Sequence, residues 1–415
     1  KTHGKGDDLK MADYKGVGYL KNKLAMKRGR VLLRYRHYEM KNVAQDFKIS
    51  TPPALQGWMS CLGWCAKSVD SLADRLSFQG FENDVFDMDG VYRANNMDVL
   101  IDSAILGALI SACAFIYISA DADGFPRMRV IDGRHATGII DPLTNMLTEG
   151  YAVLEFDDAD QPIIEAYFTA EQTVIYTQGR LTQTIPNPAP YPLLVPMVYR
   201  PDAVRPFGHS RISRACMSIV DSAVRTIKRS EIAAEFYSYP QRYILGTDES
   251  MENLDAWKAA ISTMLRIDKD EDGDKPTIGQ FSQQSMSPHT DQLRMFAGLF
   301  AGETGLTLDD LGFPSQNPSS SEAIKSEHES LRLTARKAQK NFSVGLLNAG
   351  YLAACLRDNY PYLRRQVSST RLMWAPIFEP DASSLGGNGD AVGRVQPPLP
   401  AYLTPHKLRE RTGNR

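Results

Sequence analysis

The sequence predicts an α+β protein in which a largely antiparallel sheet comes first and long helices follow. Short β-type runs, separated by turn dipeptides, fill the chain from Phe115 to Tyr199. Apolar residues recur at helical spacing from Ile212 to Ala234 and again from Ile324 to Ala353. Between these helical stretches, from Pro240 to Phe281, lies a compact strand–helix–strand pattern too small to fold well alone.

Composition bounds the function. A chain of 415 residues suffices for two or three domains, or for one large core with inserted subdomains. With 43% hydrophobic and 23% charged residues it is expected to fold. Forty-seven Lys plus Arg against 49 Asp plus Glu leave a formal charge of −2, which disfavours a tight grip on many phosphates. The five cysteines, Cys61, Cys65, Cys113, Cys216 and Cys355, predict reduced buried thiols and a cytosolic environment. Cys61 and Cys65 share the spacing of one helix face, and no nearby His completes a zinc site. The first residues, Lys1-Thr2-His3-Gly4, lack a signal-peptide core, so export is not expected. Residues 99–119 imitate a membrane span but carry Asp102, Ser103 and Ser111 and change into the β-rich Phe115-Ile116-Tyr117-Ile118. A buried helix running into a strand is predicted there, and no membrane partner.

Along the chain, residues 20–41 form the most basic stretch, with Lys21, Lys23, Lys27, Arg28, Arg30, Arg34, Arg36 and Lys41 against Glu39. Two readings stand, a patch for nucleic acid or an acidic partner and a solvated or subunit-contacting N-terminal arm; the arm is preferred. Trp58, Leu62, Cys65, Val69, Leu72 and Leu76 predict an amphipathic helix over 58–76, and a second helix is expected over 98–112. Strands are expected at 151–156, 163–169 and 173–177, with turns at Asp123-Gly124, Asp132-Gly133 and Gln178-Gly179. The proline-rich 185–206 closes this part, because repeated Pro denies ladder hydrogen bonds. A helix then starts near Ser210 as N-cap and runs to about Tyr237. Strands at 242–245 and 277–281 flank a helix at 254–265, and a short helix follows at 290–301. The longest helix is expected from about Ser320 toward Leu356, opened by a capping box in which Ser319 caps and Glu322 reaches back. Its apolar stripe is Ile324, Leu331, Ala335, Ala338, Phe342, Leu346, Ala349 and Ala353.

Few motifs carry chemistry. Asp268-Lys269-Asp270-Glu271-Asp272-Gly273 opens like an EF-hand loop, but Gly279 stands where the bidentate Glu belongs, so an exposed acidic turn is the better reading. Gly208-His209-Ser210-Arg211 lacks the second Gly of a nucleophile elbow, where Ile212 stands. A Walker phosphate loop and a dinucleotide fingerprint are absent, so no catalytic residue, metal or cofactor is expected. Lys325, Arg332, Arg336 and Lys340 fall on one flank of the long helix. Plainly read, they balance Glu322, Glu327 and Glu329 on a solvated face; read functionally, they and the polar Ser315-Gln316-Asn317 could touch a phosphate backbone without reading its sequence. A metal-dependent hydrolase or nuclease with dispersed carboxylates is the alternative from another class.

Several stretches carry a resemblance. Tyr35-Arg36-His37-Tyr38, residues Val69 to Phe81, Arg205-Pro206-Phe207-Gly208-His209-Ser210-Arg211-Ile212 with Ile219-Val220-Asp221-Ser222-Ala223, Glu303-Thr304-Gly305 through Leu311-Gly312, and Asn317-Pro318-Ser319-Ser320-Ser321-Glu322-Ala323-Ile324 occur in a telling order. In that order and spacing the chain, from about Arg34 to Gly413, resembles the portal family of tailed double-stranded-DNA bacteriophages. The resemblance implies a wing over 1–206, a stem helix over 207–238, a clip over 239–282 and a second stem helix over 283–305. It further implies a tunnel loop over 306–320, a long tunnel helix and return to the wing sheet over 321–383, with a strand at Trp374–Phe378, and the start of a short crown over 384–415.

Function follows from the same resemblance. Subunits would form a ring, usually of twelve, at one capsid vertex of the virion, assembled in the host cytoplasm. The ring would be the channel for genome packaging and ejection. Its implied partners are double-stranded DNA, the terminase large subunit, major capsid and scaffolding proteins, and head–tail adaptors. The candidate channel residues are Gln316, Asn317, Ser319, Ser320, Lys325, Arg332 and Arg336, and the candidate clip surface is Asp248, Glu249, Asp270 and Asp272. A symmetric ring cannot follow the screw of a duplex with every subunit at once, so a passive channel with weak polar contacts is expected, driven by a partner's ATP hydrolysis.

Overall fold

The computed structural model describes residues 15–43, 57–159, 161–238, 242–245, 277–280, 285–314 and 326–377. In chain order these hold α1 (Gly16–Tyr38), α2 (Trp64–Ala73), β1 (Phe78–Glu82), α3 (Met88–Ala94), α4 (Met97–Ser111), β2 (Cys113–Ala120), β3 (Pro126–Ile131), β4 (Ala136–Ile140) and β5 (Leu147–Phe156). Then come β6 (Pro162–Phe168), β7 (Gln172–Thr177), β8 (Arg180–Pro186), β9 (Leu194–Val198), α5 (Arg214–Ser238), β10 (Arg242–Leu245) and β11 (Thr277–Gln280). The described chain ends with α6 (Ser287–Thr304), a 3-10 turn (Asp309–Leu311), α7 (Glu329–Arg357), a second 3-10 turn (Arg364–Val367) and β12 (Arg371–Trp374).

Side-chain alternation along β2 sets the layers. Ala114, Ile116 and Ile118 enter the large core shared with α2, α4 and α7, whereas Cys113 and Phe115 enter a second core with Leu147, Ala152, Ala166 and Phe168. In the three-stranded sheet β3-β2-β9, strands β2 and β9 are therefore buried on both faces, between helices and the five-stranded sheet β4-β5-β6-β7-β8, while the edge strand β3 exposes Arg127 and Arg129. A strand with two buried faces reads as a continuous apolar run, which is why 99–119 imitates a membrane span. Among the described residues no helix is long and apolar enough to cross a membrane.

All pairings are antiparallel, as the turn signals predict. Gln178 and Gly179, at φ +50° and +76°, join β7 to β8 with the left-handed backbone that a two-residue hairpin needs. The expectation that the proline-rich 185–206 closes the sheet fails twice: Ile185 and Pro186 end β8, paired with Thr173 and Gln172, and β9 joins the three-stranded sheet further on. This strand pairs with β2 alone, so Pro196, opposite Phe115, sits on an edge where its missing N–H costs no ladder bond.

Other boundaries also move. Residues 58–63 lie outside α2 because Trp58 Nε1 and Ser60 Oγ donate to Glu231 Oε2 at 2.8 and 2.6 Å, holding the segment against α5. Cys61 is consequently exposed and off the helix face of Cys65, while the other four cysteines are buried, all five being free thiols. Ser210 does not cap α5. Its hydroxyl donates to Ile110 O at 2.6 Å, and Ser213 Oγ accepts the Cys216 N–H at 3.1 Å instead. The helix expected at 290–301 is longer, starting with Pro in its first turn and ending at Gly305, φ +70°. Residues 326–327 are helical, His328 interrupts them, and α7 starts at Glu329. The returning strand is β12, which pairs with β1 in a separate two-stranded sheet. The 254–265 helix, the Ser319–Glu322 cap, Phe378 and 384–415 lie outside the described residues.

The basic N-terminal stretch is not a solvated arm. Leu20 and Leu24 pack on Tyr151 of the five-stranded sheet. Lys21 Nζ lies 2.7 Å from Glu165 Oε1, and the buried Glu165 also accepts the Tyr151 hydroxyl. Lys23 Nζ donates to Gly138 O at 2.7 Å, and the Gly16 amide to Glu149 Oε2 at 2.7 Å. The apolar stripe was visible in the sequence but outnumbered by charges, whose long stems cover the sheet.

The far end of α1 is tied to α5. His37 Nδ1 lies 2.9 Å from Leu33 O and Nε2 lies 3.2 Å from Asp221 Oδ1, so both ring nitrogens face acceptors and the imidazolium fits. Burial alone would lower its pKa, but the bonds to Asp221 and Leu33 raise it. A raised folded pKa makes this stabilisation complete below the unfolded value of about 6.5, and lost as pH rises through the higher folded value. Thermal melts of wild type and His37→Gln across pH 6 to 9 are expected to converge as pH rises; a gap that stays constant refutes the tie.

Candidate DNA-channel segment

The candidate segment starts where α5 and α6 meet the layers. Ser213 Oγ donates to Glu303 Oε1 at 2.8 Å and Thr226 Oγ1 to Gln292 Oε1 at 3.0 Å, so the two helices run antiparallel, residue numbers rising on one as they fall on the other. At their base the buried Arg211 donates through Nε to Ser68 O at 3.2 Å and through Nη2 to Thr304 O. Gly208, at φ +73°, lets the preceding loop pass so close to Tyr199 that a Cβ would lie 2.1 Å from its carbonyl oxygen.

After Gly305 the chain turns sharply. The Thr307 amide and hydroxyl both donate to Asp310 Oδ2 at 3.0 Å, and Thr307 Oγ1 accepts the Asp310 amide at 3.1 Å. This reciprocal cap of the 3-10 turn has the Thr-x-x-acid signature, the same local signal that predicts a box at Ser319 and Glu322. Asp310 Oδ2 also lies 3.8 Å from His328 Nδ1, an electrostatic approach too long for a hydrogen bond. An open cleft of about 730 Å³ lies beside the turn, lined by Arg294, Thr307, Leu308, Asp309, Phe313, Pro314 and Glu327.

Along α7 the predicted stripe is the buried face: Leu331, Ala335, Ala338, Phe342, Leu346, Ala349 and Ala353 are all in the core. Of the predicted channel residues, the structure describes Arg332 and Arg336, one turn apart on the outward flank. Arg332 is bound in a fork to Glu329, Nε to Oε2 at 2.6 Å and Nη2 to Oε1 at 2.5 Å. That bond, with help from Arg336, holds the Glu329 carboxyl below its usual range. Arg332 thus follows the plainer, charge-balanced reading. Arg336, with Lys337 and Lys340, is exposed. Gln316, Asn317, Ser319, Ser320 and Lys325, and the clip candidates Asp248, Glu249, Asp270 and Asp272, lie outside the described residues, as does the EF-hand-like run. No group of three or more His, Cys, Asp or Glu that could hold a metal ion forms among the described residues.

No protein-family model matches the chain. It is 25% identical over 332 residues to the portal protein of Mycobacterium phage L5, covering 74% of this chain and 67% of the relative. It is 24% identical over 333 residues to the portal protein of Mycobacterium phage D29, with the same coverage. Over about three quarters of its length the chain is similar to phage portal proteins. Similar solved structures include the neck of a native gene transfer agent particle computed with C12 symmetry, at 15% identity, covering 84% of this chain and 89% of that one, with a TM-score of 0.46. A chain of the native gene transfer agent virion is 14% identical, covering 92% and 99%, with a TM-score of 0.47.

The stretches that carry the portal resemblance meet in space. Arg205–Ile212 and Glu303–Gly305 are joined by the Arg211–Thr304 bond, beside Ser68 at the edge of the Val69–Phe81 stretch. The sequence places Arg211 within this stretch but does not show its burial, because nothing local marks a buried arginine. Replacing it by Met would leave two buried carbonyls without their charged donor. Arg211→Met is expected to cost about 2–3 kcal/mol and to speed amide exchange over 300–306. Unchanged exchange there would refute the anchoring role.

Proposed function

We propose that the chain is one subunit of the portal ring at a capsid vertex, a structural channel for double-stranded DNA. The observation that carries this reading is its 24–25% sequence identity to two phage portal proteins over 74% of its length. Twelve subunits, the family's usual number, would surround the channel. The terminase large subunit would drive DNA inward through it during packaging, and head-completion and tail proteins would attach on the outside before ejection. Capsid and scaffolding proteins would hold its rim, placing the protein in the virion after assembly in the host cytoplasm.

Under this reading 1–206 is the wing, 207–238 and 283–305 are the stem, and 239–282 is the clip, with Asp248, Glu249, Asp270 and Asp272 toward a partner. Residues 306–320 form the tunnel loop, 321–383 the long helix and return to the wing, and 384–415 begin a short crown. The loop and Lys325, with Arg336 beyond them, would touch the passing backbone. A balanced net charge of −2 and an Arg332 already held by Glu329 suit weak, exchangeable contact. No observation favours the hydrolase alternative.

Electron microscopy and native mass of the purified protein are expected to give a closed ring with a central hole. A monomer, or a closed dimer without a hole, would overturn the reading. Replacing Asn317, Ser319 and Lys325 together by Ala is expected to impair DNA packaging or retention while rings still form; unchanged packaged length and titre would remove the loop from the channel.

A further inference from the structure

Lys23, Lys27, Arg30 and Arg34 follow one another on α1 at intervals of four, three and four residues, and so form a single row. The row borders Phe207, whose ring centroid is 5.3 Å from Lys23 Nζ and 4.7 Å from Lys27 Nζ. Arg34 reaches only Ser111 O, at 3.4 Å, and its Nε is buried without a partner. Among the described residues neither Lys27 nor Arg30 forms a hydrogen bond or ion pair. Cations crowd the row: Lys27 acts on Lys23, Arg30 on Lys27 and Arg34, and Arg205 on Arg34, and the only opposing influence on these three residues is that of the buried Cys113 thiol on Lys27. Burial, with this repulsion, pulls Lys23 down to about 8. A half-buried row of like charges is unfavourable until an anion meets it.

The other end of α4 carries the opposite pattern. Asp98 and Asp102 are exposed one turn apart, with Val99 72% exposed between them. Burial, then repulsion from Asp98 and from Asp74 at the end of α2, raises the Asp102 pKa. Arg93 feels Asp98 but already holds Asp89 at 2.5 Å. Because Arg34 sits at Ser111, the two patches are separated along α4 by about 20 Å, at roughly 1.5 Å per residue.

We propose that these patches are the two halves of one head-to-tail contact, the row on α1 of one copy receiving Asp74, Asp98 and Asp102 of the next. The proposal rests on the reading of the chain as a ring subunit. Two different, complementary patches set apart on one molecule make a heterologous contact, the kind that closes into rings. Opposite charge steers such an encounter and fixes its register. A duplex is a poorer occupant, since the row is recessed beside Phe207 and its lysines are half-buried.

Charge swapping tests it, with ring formation read by native mass spectrometry and folding by thermal melts. Lys27→Glu with Arg30→Glu, and separately Asp98→Lys with Asp102→Lys, are each expected to abolish the closed ring; one chain carrying all four changes is expected to restore it. Should the reversed row not fold, Lys27→Gln with Arg30→Gln is expected to raise the protein concentration needed for rings about tenfold. Rings that form as in wild type from folded variants, or no rescue by the fourfold swap, overturn the contact and leave the ring reading intact. Intact rings with weakened DNA binding would make the row a nucleic-acid surface and also overturn it. A wild type that forms no ring overturns both readings.

Discussion

The burial of β2 on both faces is the constraint on which the rest depends. One strand contributes alternate residues to two cores, so every element packed against it is fixed relative to every other. The helices must cover one face and the five-stranded sheet the other, because an exposed face here would present Ile116 or Phe115 to water. Gly345 shows how close that cover lies: a Cβ there would come within 2.5 Å of Met197 Sδ in β9, the neighbour of β2.

Much of the fold was legible where a segment's pattern had one meaning. The α7 stripe, the α4-to-β2 passage and the β5–β7 strands follow from periodicity alone, and each lies near its predicted place. Misreadings fell where long-range contacts decide. Ser210 and Ser213 are equally good caps locally, and only the Ile110 carbonyl diverts the former. Pro196 breaks a central strand but not an edge, and edge position is a property of the finished sheet. In α1 the basic residues hid a helix that the sheet needs, since Glu165 and Glu149 lie far away in sequence.

The candidate channel segment was less legible. Its charges fit both a solvated face and a weak lining, and the fork between Arg332 and Glu329 favours the first for that one residue. Local chemistry alone does not turn this flank toward DNA; only the proposed portal reading does. The physical reason is general: a lining built for sliding has no preferred ligand geometry, and so leaves little imprint on residue type or spacing.

Arg211 gives the paired helices α5 and α6 the character of a lever. Its guanidinium joins the end of α6 to α2 at the base of the pair, where hydrogen bonds replace a slack connection. Any tilt of the pair would therefore turn about that base and be felt first at α2.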